Sequence, residues 1–408
     1  MYKQDIKEKA EAYRDNMVEF LQDLVAIPSE SCNEGGVVRR CKQELNELGF
    51  DEVEVDEMGN IRGKMGSGDR KLAIDAHIDT VAVSDLEDWD YDPYGGEIED
   101  GYVYGRGTSD QTGGFVSAAY GAKIMDELDI LPDDFSLYVV GSVQEEDCDG
   151  MCWDYMIEEE VLVPEAVIIT EPTELDVKRG HRGRMEMQID TEGVSCHGSA
   201  PHRGENAIYK MGPLVNQIED LNEDLQDHEF LGKGTIVLSQ VSSEAPSLCA
   251  VPNGCSAYLD RRLTVGETME SSLQEIRDLP GFDEAEAEVH VPTYTRPSWT
   301  GFEYEFLKYY PTWCLEEDHP VIQSGVKTFE SQFDDSPTVT KWTFSTNGVT
   351  IAGRHNIPCL GFGPGEEKYA HAADERIAIS DLVEAARFYA GWPSVYAENL
   401  SQPATMEV

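Results

Sequence analysis

Three short apolar runs, each ending in polar residues, constrain the fold of this chain more than any other feature. They are KLAIDAH (71–77), FSLYVVGSVQ (135–144) and EAVIITEP (165–172). Helical spacing covers residues 3–25 and about 35–48, and TGGFVSAAYGAKIMDEL, between the first two runs, also predicts a helix. Buried strands that alternate with helices predict an α/β fold, with a mainly parallel sheet flanked by helices. Active sites of such folds form in the loops at the carboxyl ends of the strands.

The pattern of the sequence changes after about residue 180. Three segments alternate polar and apolar residues with period two, and a helical segment lies among them: RMEMQIDTEGV, GTIVLSQVSS, GCSAYLDRRLTV and NAIYKMGPLVNQIEDL. Such alternation predicts antiparallel strands, and helix-and-strand alternation resumes from about residue 293. A chain of 408 residues is long enough for two domains. We therefore predict a discontinuous α/β domain, 1–179 and 293–408, with an inserted α+β domain at 180–292.

The charge of the chain restricts its partners and its setting. There are 80 acidic and 31 basic residues, a net charge of −49, and the acids are dispersed along the chain. Such a surface repels nucleic acid and anionic membranes, so neither is expected as a partner. Dispersed acids with few lysines predict adaptation to high salt, where repulsion is screened, and a cationic partner is the alternative.

The sequence also bears on location and on the thiols. No apolar stretch approaches the ~20 residues that span a bilayer, and MYKQDIKEKAEAYRDNMVEFL contains no apolar region of a signal peptide. Nine cysteines without a CxxC pair predict mostly free thiols. Cys148 and Cys152 are interpreted as packing residues rather than as a zinc or redox site. We therefore expect a soluble, cytoplasmic protein.

Five side chains that suit metal ligation lie at predicted strand ends or in turns. They are His77, Asp110, Glu146, Glu171 and His371. One bridging carboxylate, two further carboxylates and two imidazoles form a ligand set for a pair of divalent ions. Taken singly, these residues also have ordinary interpretations, such as a helix cap for Asp110. Asp79 lies two residues after His77, on the same face of the strand end, where it can orient the imidazole.

Glu145 and Glu146 are the most informative pair. Adjacent buried carboxylates repel one another and need positive charge nearby. A metal ion supplies that charge if Glu146 is a ligand, and Glu145 is then placed to take a proton from water as a general base. The apolar strand before the pair favours this interpretation over a solvated acidic run.

Ordered motifs along nearly the whole chain resemble those of the M20 family of metallopeptidases and deacylases, which includes acetylornithine deacetylase and succinyl-diaminopimelate desuccinylase. The motifs are AHIDTV, GRGTSDQTGG, QEED, ITEPT, SCHGSAPHRGENAI, LDRR and AHAADER. QEEDCDGMCW, KWTFSTNG and GFGPG are similar to the branch called selenium-metabolism hydrolases. The resemblance implies a zinc-peptidase-like catalytic domain and an inserted lid domain that also forms a homodimer contact.

The resemblance implies how the ions are held. His77, Asp110 and Glu171 would hold one ion, and Asp110, Glu146 and His371 the other. Zinc is expected, with cobalt or manganese as alternatives. Glu145 would be the general base, and Asp79 would orient His77.

Substrate recognition is implied for residues outside the ligand set. His197, in SCHGSAP, would polarise the scissile carbonyl, in many members across a dimer. Arg262 would bind a substrate carboxylate, with Arg261 or a structural ion pair as alternatives. Asn347, in STNG, and Gly363, in GFGPG, are further substrate-binding candidates. Asn347 replaces an Asp that is usual in the family, which leaves the substrate open.

We therefore predict a dinuclear metal-dependent hydrolase that cleaves an amide bond of an N-acyl amino acid or a small peptide. Glu171, rather than Asp, resembles the deacylase and carboxypeptidase members of the family. A dipeptidase or aminopeptidase and an amidohydrolase of ureido compounds are the alternatives. A non-catalytic, acidic cation-binding protein is a more remote one.

Overall fold

An eight-stranded sheet forms the centre of the structure, a computed structural model that describes residues 2–84 and 86–401. From edge to edge the strands are Glu52–Val55, Ile61–Met65, Phe135–Ser142, Arg70–His77, Ala166–Ile169, Cys359–Gly361, Val177–Lys178 and Val339–Thr340. Neighbours pair in parallel across the four central strands and between the last two, and antiparallel elsewhere. The mainly parallel sheet predicted from the sequence is confirmed.

The central strands are buried along almost their whole length, which explains why their sequences are apolar rather than alternating. Arg70–His77 is buried from Leu72 onward, and every residue of Ala166–Ile169 is buried. Helices pack with this sheet in one hydrophobic cluster. The helices are Lys3–Ala12, Arg14–Val25, Gly35–Leu48, Gly113–Glu127, Met151–Glu158, Pro320–Phe333, Gly348–Ile351 and Ile379–Ser401.

The single helix predicted over residues 3–25 is wrong in one respect, because the structure has two helices that meet at Tyr13. The Tyr13 ring lies 5.4 Å from that of Tyr120, measured between centroids, and its hydroxyl donates to Glu127 at 2.7 Å. The side chain at the junction is therefore anchored to another helix. Helical spacing in the sequence carries no sign of such a tertiary contact.

A second sheet, four of whose five strands lie within the region predicted as the inserted domain, is antiparallel throughout. Its order is Thr235–Glu244, Gly254–Leu263, Gly183–Glu192 and Glu288–His290, and Tyr309–Tyr310 pairs with the start of Gly183–Glu192. Alternate residues of its two inner strands are buried, as period two requires. The helices Ala207–Asp224 and Met269–Arg277 share a hydrophobic cluster with this sheet, separate from that of the central sheet. The two clusters support two domains, and the boundaries at 179/180 and 292/293 stay a prediction.

Shorter elements complete the structure. Small sheets join Ile98–Glu99, Tyr102–Tyr104 and Arg376–Ala378; Gly180–His181 and Trp313–Cys314; and Thr293–Tyr294 and Phe306–Leu307. Single turns of 3₁₀ helix lie at Leu86–Asp88, Pro201–Arg203 and Glu367–Tyr369. Across the described residues, no helix combines the length and apolar character that crossing a membrane demands.

Candidate metal centre and substrate cavity

The candidate metal ligands gather where three neighbouring parallel strands end. His77 ends the middle strand, Glu145 and Glu146 follow the strand on one side, and Glu171 follows the strand on the other. Because parallel strands end at the same edge of a sheet, the strand order alone brings these four side chains together. Asp110 reaches the same place from an irregular turn that precedes a helix, and a loop after the next strand supplies His371.

Asp110 lies between the two imidazoles. Its Oδ1 is 2.9 Å from Nε2 of His77, and its Oδ2 is 3.3 Å from Nε2 of His371. Glu171 lies on the His77 side, with Oε1 3.6 Å from that Nε2. Glu146 lies on the His371 side, with Oε2 2.9 Å from that Nε2. The side chains thus form two groups that share one carboxylate, an arrangement that suits ligands of two neighbouring ions.

The charge balance of this cluster fits divalent cations. Glu145 Oε1 and Glu171 Oε2 are buried and have no hydrogen-bond partner among the described residues. Burial raises the pKa of both carboxyls well above their ordinary value. Burial alone would lower the pKa of His77, but Glu171 and Asp110 raise it well above its ordinary value, and hydrogen bonds to carboxylates raise the pKa of His371 to about 10. Excess negative charge among buried nitrogen and oxygen donors is what metal ions relieve.

The turn that carries Asp110 is held by a carboxylate that sequence reasoning misses. Glu375 is fully buried and accepts the backbone N–H groups of Gly107 at 3.0 Å and of Ser109 and Asp110 at 2.9 Å. Its ion-pair partner is Arg106, 2.8 Å away. An irregular buried turn needs acceptors for its N–H groups, and this need, with the motifs GRG and AHAADER, is the signal that points to Glu375.

Asp79 is predicted to orient His77, and its backbone oxygen lies closer to the imidazole than its carboxylate does. Nδ1 of His77 is 2.9 Å from the backbone oxygen of Asp79 and 3.5 Å from Oδ1. The carboxylate accepts the backbone N–H groups of Glu145 and Glu146, both at 3.1 Å, and the hydroxyl of Ser31 at 2.6 Å. The carboxylate of Asp79 therefore positions the turn that carries the two glutamates.

A cavity of about 300 Å³ opens beside the cluster, with residues of both sheet regions in its wall. Its lining residues are Asp110, Glu145, Glu146, Asp149, Glu171, Arg184, Arg262, Phe344, Ser345, Glu367, Ala370 and His371. Arg262, whose guanidinium binds Asp260 at 2.9 Å, is on this wall. Arg261 is fully buried and pairs with Glu267 at 2.6 Å. Of the two arginines, Arg262 is the one that lines the cavity.

Two residues predicted to act on the substrate lie away from this wall. His197 is exposed in a turn of the second region, where its Nδ1 accepts the N–H of Ser199 at 3.1 Å. Asn347 is buried behind the strand ends, donates to Asp75 at 2.8 Å, and accepts the N–H of Gly150 at 2.8 Å. Asn347 therefore holds the loop after Glu146 in place, and both ends of its side-chain amide bond to buried groups.

Gly363, the third such residue, also has a supporting position. A Cβ there would lie 2.0 Å from the backbone oxygen of Thr170 and 2.3 Å from that of Glu171. Only glycine allows the two chain segments to approach this closely. Gly363 thus sets the backbone beside the candidate ligand Glu171 rather than lining the cavity.

Several lining residues have no counterpart in the sequence prediction. Asp149 accepts a hydrogen bond from Arg184 at 2.8 Å and another from Ser345. Arg184 and Arg262 are paired positions on neighbouring strands of the second sheet. The register of that sheet, which is not visible in the sequence, places both arginines on the cavity wall.

Two other groups of potential metal-binding side chains have ordinary structural contacts. His355 Nε2 is 2.9 Å from Asp154 Oδ1, and Arg354 is 3.6 Å from the same oxygen, so this group is an ion-pair network. Cys148 and Cys152 are buried free thiols, in agreement with the interpretation that they pack near the cleft.

Comparison with known proteins shows the family of the chain. The sequence profile of Peptidase family M20/M25/M40 matches residues 73–393. The uncharacterized protein YgeY of Escherichia coli K12 is 53% identical over 388 residues, which are 95% of this chain and 96% of that protein. A succinyl-diaminopimelate desuccinylase of Dinoroseobacter shibae is 26% identical over 388 residues, which cover 91% of this chain and 97% of that protein.

A solved structure shows the same fold. The YXEP protein of Bacillus subtilis, a dinuclear metal binding peptidase from the M20 family, superposes with a TM-score of 0.68 at 12% identity, and the match covers 95% of this chain and 99% of that one. The closer likeness to selenium-metabolism hydrolases stays a prediction. The profile match over most of the chain confirms the resemblance found in the sequence: the chain belongs to Peptidase family M20/M25/M40 and is a metal-dependent hydrolase.

Proposed function

We propose that this protein is a two-metal amidohydrolase that removes the acyl group from an N-acyl amino acid or cleaves a small peptide. The observation that carries the proposal is Asp110, whose two oxygens face the imidazoles of His77 and His371. Together with Glu171 and Glu146, these residues would hold two ions that share Asp110, with zinc preferred over cobalt or manganese. Two divalent ions bound there would supply Lewis acidity, which lowers the pKa of water and polarises an amide carbonyl.

Glu145 is the residue proposed to move the proton. Its carboxylate is buried on the cavity wall, with Oε2 3.9 Å from His77 Nε2 and Oε1 without a partner among the described residues. A carboxylate in this position can accept a proton from the attacking water and pass it to the leaving amine. The bond from its backbone N–H to Asp79 fixes the segment that carries it.

Arg262 is proposed to bind a substrate carboxylate. Its side chain is 31% exposed and lies on the wall of the cavity that the ligand cluster also lines. A planar guanidinium matches a carboxylate with two parallel hydrogen bonds. In a chain with a net charge of −49, a cation at this position favours an anionic substrate over a neutral one.

We further propose a homodimer formed through the inserted domain. The edge strand Thr235–Glu244 exposes Val237 and Val241, and Leu248 lies fully exposed nearby in sequence. Exposed apolar side chains at the edge of a sheet are typical of association surfaces. In such a dimer the His197 of the partner subunit would polarise the scissile carbonyl, since the single chain leaves this residue outside the cavity wall.

The setting is proposed from the charge. A net charge of −49, dispersed along the chain, suits a cytoplasmic protein that works at high salt, where screening reduces self-repulsion. The same charge supports a small-molecule or peptide substrate rather than nucleic acid or an anionic membrane.

The function is tested with a panel of N-acyl amino acids, dipeptides and N-carbamoyl amino acids. The assay uses multimolar KCl with added zinc, cobalt or manganese, and a chelator as control. We expect metal-dependent cleavage of N-acyl amino acids or dipeptides. Cleavage of N-carbamoyl compounds alone would instead assign the ureido alternative, and many weak cation sites without turnover would favour a binding protein.

The role of Glu145 is tested by Glu145→Gln, which keeps the size of the side chain and removes the proton acceptor. We expect kcat to fall by at least about 100-fold while both ions remain bound, because proton transfer is lost and the ligands are intact. Glu44→Gln, at another buried glutamate far from the cluster in sequence, is the matched control. A kcat of Glu145→Gln equal to that of the control would contradict the assignment.

A further inference from the structure

Four consecutive backbone N–H groups lead into the loop of the proposed general base, and side chains from three separate segments accept them. The pairs are Val143 with Asn60 Oδ1 at 3.0 Å, Gln144 with Glu34 Oε1 at 3.0 Å, Glu145 with Asp79 Oδ1 at 3.1 Å, and Glu146 with Asp79 Oδ2 at 3.1 Å. This stretch lies beyond the end of its strand at Ser142. Its conformation is therefore set by these side chains and not by a regular hydrogen-bond ladder.

Among these acceptors, Glu34 is a buried carboxyl that is not a candidate metal ligand. It is fully buried, and its Oε1 accepts the N–H groups of both Cys32 and Gln144 at 3.0 Å. Its Oε2 is buried without a partner among the described residues. Burial of a carboxyl is unfavourable unless its hydrogen bonds offset the loss of water. The bond to the general-base loop is one of those that do so.

The backbone at Gln144 needs such support. Its φ is +58°, in the left-handed region that residues other than glycine rarely adopt. Its side-chain amide also donates to the hydroxyl of Tyr294 at 3.0 Å. The residue directly before Glu145 is thus held in an unfavourable conformation from two sides, and Glu34 holds its main chain.

We propose that Glu34 is a positioning residue, which fixes the main chain at Gln144 and thereby aims the Glu145 carboxylate at the reacting water. The inference rests on the proposed role of Glu145. Glu34 is absent from the cavity wall, so it acts through the loop and not on the substrate. Ser31, three residues before Glu34, donates to the carboxylate of Asp79 at 2.6 Å. The segment 31–34 therefore supplies one carboxylate that holds this loop and bonds to the other.

The experiment compares Glu34→Ala, Glu34→Gln and the control Glu44→Ala. Burial raises the pKa of Glu34 to about 8, so glutamine resembles its protonated form and keeps an oxygen that can accept both N–H groups. Glu44 lies on the helix that begins after Glu34, is also buried, and bonds to Arg40 and Tyr120. Glu44→Ala therefore weakens the same helix without touching the loop.

We expect Glu34→Ala to lower kcat by roughly 10- to 100-fold with KM and metal content unchanged, and Glu34→Gln to restore most of it. Glu44→Ala should lower the melting temperature and leave kcat alone. If Glu34→Ala matches Glu44→Ala in kcat at an equal loss of melting temperature, the role is structural and the proposal fails. A kcat that glutamine does not restore contradicts it as well.

Hydrogen exchange gives a readout that needs no substrate. In Glu34→Ala the backbone amides of residues 143–146 should exchange faster than in the wild type and in Glu44→Ala, with Gln144 most affected. Unchanged exchange there would overturn the proposal even if the enzyme is active. Faster exchange in a protein that hydrolyses no compound of the panel would retain the contact and refute only the function assigned to Glu145.

Discussion

Replacement of His181 by glutamine should make the stability of the protein less sensitive to acid. His181 is fully buried, its Nε2 accepts the indole N–H of Trp313 at 2.8 Å, and its Nδ1 lies 2.9 Å from the backbone oxygen of Arg182. These contacts fit the neutral imidazole with its hydrogen on Nδ1. Burial accordingly lowers the pKa of His181 from 6.5 to about 4.

The magnitude follows from these two pKa values. Between about pH 6.5 and pH 4 the unfolded chain binds a proton that the folded chain does not bind at this residue. The stabilisation is therefore fully present above the pKa of histidine in the unfolded chain, 6.5, and is lost as the pH falls towards the folded pKa of about 4. From pH 7.5 to pH 5.0, one such histidine accounts for a loss of about 2 kcal/mol in the free energy of unfolding.

The assay is urea unfolding of the wild type and of His181→Gln at these two pH values, in the same concentration of KCl. Glutamine can accept from Trp313 and donate to Arg182, but it does not titrate. We expect the variant to be the less stable protein at pH 7.5 and to lose about 2 kcal/mol less than the wild type on acidification. Equal losses in the two proteins would refute the reasoning.

Three other outcomes are expected. Arg262→Ala should raise KM for a carboxylate-bearing substrate by about 10- to 100-fold with little change in kcat, and an unchanged KM would remove Arg262 from the site. Gly114→Ala places a Cβ 2.2 Å from Thr170 Oγ1 and 2.9 Å from the backbone oxygen of Thr170. We therefore expect the free energy of unfolding, measured by urea titration, to fall by about 1–3 kcal/mol. A urea midpoint equal to that of the wild type contradicts this expectation. Transfer from multimolar to dilute KCl should lower the melting temperature, because 49 uncompensated charges lose their screening, and a constant value would contradict salt adaptation.

The strand ends could be predicted because burial on both faces leaves a strong signal. Parallel strands covered on both sides are apolar throughout, so the polar residue that ends each run marks an edge of the sheet. Such endings predict His77, Glu145, Glu146 and Glu171 as site residues, and the structure brings them together. This prediction does not depend on the pairing register of the strands.

The remaining parts of the site depend on contacts between distant segments. The bond from Asp110 to Glu375 joins residues 265 positions apart, and no periodicity in the sequence predicts it. Arg184 lines the cavity because of the register of its strand. A shift of one residue in that register would turn its side chain to the other face of the sheet. Asn347 is a substrate-binding candidate through the family resemblance, and the motif STNG alone does not reveal that its amide bonds to buried main-chain and side-chain groups.

The segment from His371 to Glu375 has a consequence for how this chain can change in evolution. Its first residue faces Asp110 Oδ2, and its last residue accepts three backbone N–H groups from the turn that carries Asp110. An insertion or deletion between them would displace two parts of the centre at once. The spacing His-x-x-x-Glu should therefore resist changes in length among descendants of this gene.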